Sequence, residues 1–124
     1  MFKKLGQHFL INKSAINKIV SALNLQPNET IIEIGPGKGA LTFPLIKECE
    51  KIGCKIIAVE KDPTLAERFK VQGSRKNFEV IEGDILKILK TIPSTYNLTP
   101  YTYKLIGNIP YYITGKLLRL IGEL

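Results

Sequence analysis

The chain has 124 residues, enough for one small domain with a hydrophobic core and too few for two. A hydrophobic share of 44% and a charged share of 23% exclude a disordered polymer, and no apolar run approaches the ~20 residues of a membrane-spanning helix. The formal net charge of +7 favours a polyanionic partner, because lysines and arginines that bind phosphates release counterions; a merely solubilising surface is the alternative.

The first residues, Met1 to Leu10, are basic and aromatic without the sustained apolar core of a signal peptide, so the protein reads as cytosolic. Asn12 or Ser14 can cap a helix that runs to about Leu23, with Ile16, Ile19, Val20 and Leu23 on one face. Gln26 to Glu29 is a turn, and Thr30 to Ile34 is the first strand. A helix follows from about Ala40 to Glu50, with Pro44 near enough to its start to be tolerated. Gly53 breaks the chain before the second strand, Lys55 to Val59. Asp62 and Pro63 supply a cap and a first-turn proline for a helix to about Val71. A basic turn leads to the third strand, Phe78 to Glu82, and then to a short helix from Ile85 to Leu89. A loop rich in proline, threonine and tyrosine precedes the fourth strand, Tyr103 to Gly107, and Ile113 to Leu124 has the pattern of an amphipathic helix. This alternation predicts a parallel α/β sheet with right-handed crossovers. Cys49 and Cys54 form no CxxC unit and one histidine cannot complete a zinc site, so they read as two reduced, partly buried thiols, with no metal expected.

The chemistry gathers at the strand ends. After the β-branched run Ile31 to Ile34, which suits a strand buried on both faces, Gly35, Gly37 and Gly39 let the backbone turn sharply and a ligand approach closely. The spacing is not the GxGxxG of dinucleotide sites, and it lacks the Ser or Thr of a P-loop after Lys38. Glu60 ends the second strand about twenty residues further on, where an acid can accept from ribose hydroxyls of NAD or of S-adenosylmethionine alike. Asp84, after the third strand, can accept from an adenine amine with the Ile85 amide facing a ring nitrogen; capping the next helix is its other reading. After the fourth strand, Asn108 and the carbonyl of Ile109 or Pro110 can accept both hydrogens of one amine while Tyr111 stacks on a base; a plain Pro-Tyr turn is the bland alternative.

Together, Glu33 to Thr42, Glu60, Gly83-Asp84, Asn108 to Tyr111 and the lead-in Lys4 to Leu10 resemble the motifs of the rRNA adenine dimethyltransferase family of the small-subunit type. The resemblance runs the length of the chain and implies a Rossmann-like class I S-adenosylmethionine-dependent methyltransferase fold, with four parallel strands in the order 3-2-1-4. It implies S-adenosyl-L-methionine as cofactor, rRNA as partner and a monomer at full length. His8, Leu10, Gly35, Gly37, Glu60, Asp84, Ile85 and Asn108 are implied to touch the cofactor, and Asn108, Pro110 and Tyr111 to act on the target adenine. Residues 1–124 are expected to form the N-terminal part of a methyltransferase catalytic domain, without the later strands and the C-terminal helical domain. The fourth strand is then expected to be an apolar exposed edge that invites association. Three alternatives stay open: a truncated cofactor-binding fragment without turnover, a large-subunit rRNA methylase of the antibiotic-resistance type, and an NAD-binding module. The last explains the glycines and Glu60 but not Asn108 to Tyr111.

Overall fold

The computed structural model describes residues 13–72, 76–96, 98 and 102–107. The elements, in chain order, are α1 (Lys13–Ala22), β1 (Thr30–Ile34), α2 (Thr42–Ile52), β2 (Lys55–Glu60), α3 (Pro63–Gln72), β3 (Phe78–Glu82), α4 (Ile85–Ile88), α5 (Ile92–Thr95) and β4 (Tyr103–Gly107). All strand pairings are parallel and the sheet order is β3-β2-β1-β4, as the family resemblance implies. The amphipathic pattern over Ile113 to Leu124, like the lead-in Lys4 to Leu10, lies outside the described residues. Among the described residues, no helix is long and apolar enough to cross a membrane.

β1 is central, and every residue in it is buried. Alternation along the strand sends side chains to two cores. Ile31 joins Leu41, Leu45, Ile46, Ile56 and Phe69 beneath α1, α2 and α3. Ile32 and Ile34 join Ile57, Val59, Ile85, Leu89 and Ile92 beneath α4 and α5. Helices on both faces explain why β1 and β2 read as continuous apolar runs and not as alternating ones. β4 lies at one edge of the described sheet, with Tyr103 to Ile106 half-buried and Gly107 exposed.

Three local expectations are corrected. Cys49 and Cys54 are not free thiols: they form a disulfide, and both are buried. Gly53 adopts a left-handed conformation (φ 95°) that closes α2 and turns the chain back, leaving the two Cα atoms 4.7 Å apart, within reach of a bridge. Residues 92–95, expected as loop, form the short helix α5, stabilised by burial of Ile92 in the second core. The helix after the glycine turn begins at Thr42, not Ala40, because Gly39, Ala40 and Leu41 are spent in the turn itself.

One ion pair ties the sheet edge to the helix layer. Lys104 Nζ of β4 donates to the carbonyls of Leu23 (2.7 Å) and Asn24 (2.9 Å), after α1, and contacts both carboxylate oxygens of Glu29 at 3.0 and 2.9 Å. The ammonium thus satisfies helix-end carbonyls and neutralises a carboxylate whose side chain is 9% exposed. Lys104→Met should lower stability by about 2 kcal/mol, less than for a fully buried pair because the lysine is one-third exposed. Adding Glu29→Gln should recover part of that loss in urea denaturation, since the uncompensated charge is then gone.

Candidate functional site

Parallel pairing aligns the carboxyl ends of the four strands. The register places Ile34 beside Val59 on one side and Gly107 on the other, and Glu60 beside Glu82. The segments that leave these ends carry Gly35 to Gly39, Glu60 to Asp62, Gly83-Asp84 and Gly107. Backbone bonds lace them together: Gly35 N–H donates to Val59 O and Gly83 N–H to Glu60 O, each at 2.9 Å.

The three glycines of the turn have different reasons to be glycine. All adopt positive φ (64°, 59° and 90°), which L side chains rarely tolerate. A Cβ on Gly37 would meet nothing closer than the Gly35 carbonyl oxygen at 4.0 Å, so the space above it is open to a ligand. A Cβ on Gly39 would collide with the Phe43 ring and press on Phe69 at 3.2 Å. Gly39 is therefore required by helix packing, and Gly37 by the turn and the open approach. At the other edge, a Cβ on Gly107 would strike the Ile34 carbonyl oxygen, so β4 can lie this close to β1 only with glycine as its last residue.

Glu60 is the anchor of the site. Its Oε1 accepts from Gly37 N–H at 3.0 Å and its Oε2 from Asp62 N–H at 2.9 Å, so one carboxylate holds the glycine turn and the loop after β2. Each oxygen keeps acceptor capacity beyond these bonds. Asp62 Oδ1 in turn accepts from Thr64 and Leu65 N–H at 2.8 and 3.2 Å, capping α3. Asp84 takes up the expected alternative with one oxygen: Oδ1 accepts from Leu86 N–H at 2.9 Å and caps α4. The Ile85 amide, in the first turn of α4, has no acceptor within its own helix. Gly35, Gly37, Glu60, Asp84 and Ile85 are thus gathered along one edge of the sheet. His8, Leu10, Asn108, Pro110 and Tyr111 lie outside the described residues. Among the described residues no cluster of side chains could hold a metal ion.

Sequence reasoning assigned no separate role to Glu33. It sits in the middle of β1, 2% exposed, and its Oε1 accepts from the Thr42 hydroxyl at 2.6 Å. That bond spans the glycine turn, joining its strand side to the first residue of α2, whose N-cap Leu41 offers no side-chain acceptor. Burial pushes the Glu33 carboxyl up to about 7; the Thr42 hydrogen bond opposes the rise and the charge of Glu60 adds to it. The available signal was an acid within a run that must be buried on both faces.

Comparisons with known proteins identify the family and agree with the fold. The family described as "Ribosomal RNA adenine dimethylase" matches residues 2–121. The chain belongs to this family. Among curated relatives, the ribosomal RNA small subunit methyltransferase A of Dehalococcoides mccartyi is 46% identical over 98% of this chain, and its namesake from Thermosynechococcus vestitus is 40% identical over 98%. The chain spans only about 40% of the length of these relatives (40% and 42%). Among solved structures, the 23S rRNA methyltransferase ErmE superposes with a TM-score of 0.65 at 26% identity, covering 87% of this chain and 40% of that one. The dimethylase-family fold is thus the Rossmann-like methyltransferase sheet, in the strand order seen here.

Glu33 gives this dimethylase-family chain a pH-dependent stability with a definite sign. The ordinary value is 4.5 and the folded value about 7, so folding takes up a proton between them. The stabilisation is whole below pH 4.5 and is lost as pH rises through about 7, a change of about 3 kcal/mol. Glu33→Gln keeps the acceptor for Thr42 and removes the titration. Denaturation curves between pH 5 and 8.5 should show a flatter pH dependence for this variant and a gain over wild type on the alkaline side.

Proposed function

We propose that this chain carries the cofactor site of a cytoplasmic, monomeric enzyme that dimethylates the exocyclic amine of adenine in small-subunit rRNA, using S-adenosyl-L-methionine. The observation that carries the reading is the alignment of Glu60 and Asp84 beside the open Gly37 turn, in a chain of the ribosomal RNA adenine dimethylase family. In it, residues 1–124 are the N-terminal part of the catalytic domain.

The described residues fit an adenosine. Glu60 is already fixed by two backbone amides and accepts in addition from ribose hydroxyls. Asp84, with Oδ1 committed to the α4 cap, offers Oδ2 to an adenine amine, and the Ile85 amide serves a ring nitrogen. Gly35 and Gly37 admit the remaining part of the cofactor against the backbone, and the family resemblance adds His8 and Leu10 as cofactor contacts. When bound, the cofactor supplies a methyl group on a positively charged sulfur.

The target amine is a poor nucleophile because its lone pair is delocalised into the ring. Asn108 and the carbonyl of Ile109 or Pro110 accept its two hydrogens, which draws the nitrogen toward tetrahedral geometry and frees the lone pair. Tyr111 stacks on the base and fixes its plane. Acceleration comes mainly from this positioning. The ammonium formed is acidic and releases its proton without a dedicated base. The adenine must be unstacked or in a single-stranded loop to enter.

Calorimetry with S-adenosylhomocysteine tests the site: it should bind, NAD should not compete, and Glu60→Ala should weaken binding at least tenfold (about 1.4 kcal/mol). In the full-length parent, Asn108→Ala should abolish methyl transfer to small-subunit rRNA while binding of S-adenosylhomocysteine persists. Methylation at wild-type rate in Asn108→Ala, or NAD displacing S-adenosylhomocysteine, overturns the reading. Transfer to large-subunit rRNA alone would assign the chain to the other branch of RNA target.

A further inference from the structure

Away from the strand ends, a groove of about 840 Å³ runs between α1 and α2. From α1 and the turn after it come Asn17, Ser21 and Asn24; from α2 come Phe43, Lys47 and Lys51. All six are exposed, on a floor that includes Val20, Leu25 and Ile52.

Three observations bear on what fits there. Lys47 and Lys51 are one helical turn apart on the same face of α2, so their ammonium groups can meet successive phosphates of one strand. On the facing side, Asn17, Ser21 and Asn24 supply amide and hydroxyl donors along the groove. Phe43 stands at the end of the groove nearest the glycine turn. Its ring lies against Gly39 and is 5.9 Å from the Phe69 ring, yet Phe43 remains 39% exposed. Among the described residues only Phe43 and Val71 are large exposed hydrophobics, and an aromatic ring beside a basic track is the usual platform for an unpaired base. Glu48 is the only carboxylate among the described lining residues, and it is 3.5 Å from Lys51 in an exposed pair of little intrinsic strength.

We propose that the α1–α2 groove holds a single-stranded stretch of the RNA substrate, with Lys47 and Lys51 on successive phosphates and a base stacked on Phe43 beside the glycine turn. The proposal rests on the rRNA reading above and adds the surface that carries the strand. Glu48 acts against it, competing with phosphate for Lys51, and so sets an upper limit on the affinity.

The test is fluorescence anisotropy of a labelled single-stranded oligoribonucleotide with the whole chain, across a salt series. Lys47→Glu/Lys51→Glu should weaken binding at least tenfold more than the control pair Lys70→Glu/Lys87→Glu on α3 and α4. It should also lower the salt slope by about 1.4, two phosphate contacts at roughly 0.7 each. Lys47→Gln/Lys51→Gln should lower the salt slope by the same amount, with a smaller loss of affinity because no repulsive charge is added. Phe43→Ala should cost severalfold in affinity at an unchanged salt slope, and Glu48→Gln should tighten binding. Equal losses for groove and control pairs, or no RNA binding by the wild-type chain, overturn the proposal. So does dimerisation of the chain that the groove pair abolishes, since a second copy would then occupy the face. Calorimetry with S-adenosylhomocysteine runs beside it: failure there with the groove result intact strikes the methyltransferase reading alone, and the reverse strikes the groove alone.

Discussion

Parallel pairing in register is the constraint on which the site depends. Ile34 opposite both Val59 and Gly107, and Glu60 opposite Glu82, bring four chain exits to one line. The exits come from distant parts of the chain: Gly37 and Glu60, which share a hydrogen bond, are 23 positions apart. The two cores hold the register, because a slip of one residue would exchange the side chains facing α2 with those facing α4. Burial of both faces therefore determines where the polar ends fall.

Polar groups then convert that alignment into a defined surface. Glu60 binds one loop with each oxygen, Asp62 and Asp84 each cap a helix, and Glu33 ties the strand before the glycine turn to the helix after it through Thr42. At the opposite end of the sheet Lys104 and Glu29 bind the edge strand to the end of α1. The apolar interior sets the layers, and charge-assisted hydrogen bonds fix their ends.

What the sequence disclosed follows from the range of each interaction. The strands were legible because β-branched runs such as Ile31 to Ile34 and Ile56 to Val59 have few other uses, and their ends located Glu60 and Asp84. The bond between Glu33 and Thr42 was not legible, since it exists only once the glycine turn has folded α2 back over β1. The disulfide was hidden for a similar reason: Cys49 and Cys54 approach through the left-handed turn at Gly53, which spacing alone does not specify. α5 escaped because its four residues carry no helical period; Pro93 opens the turn and Ile92 is buried against the sheet. Gly39 was read with Gly35 and Gly37 as one ligand-facing set, whereas the rings of Phe43 and Phe69 account for it.

The double attachment of Glu60 has a bearing on how this site can vary. A side chain that recognises only a ligand can be exchanged at the expense of that ligand. Glu60 is also a structural member, since Gly37 and Asp62 both hang from it. A shorter acid would have to choose between the two loops, and an amide could accept from only one of them without turning a donor toward the other. If Glu60 also holds the ribose, as proposed, recognition and architecture share the same two oxygen atoms, and drift at this position is opposed by the resting fold before any ligand arrives.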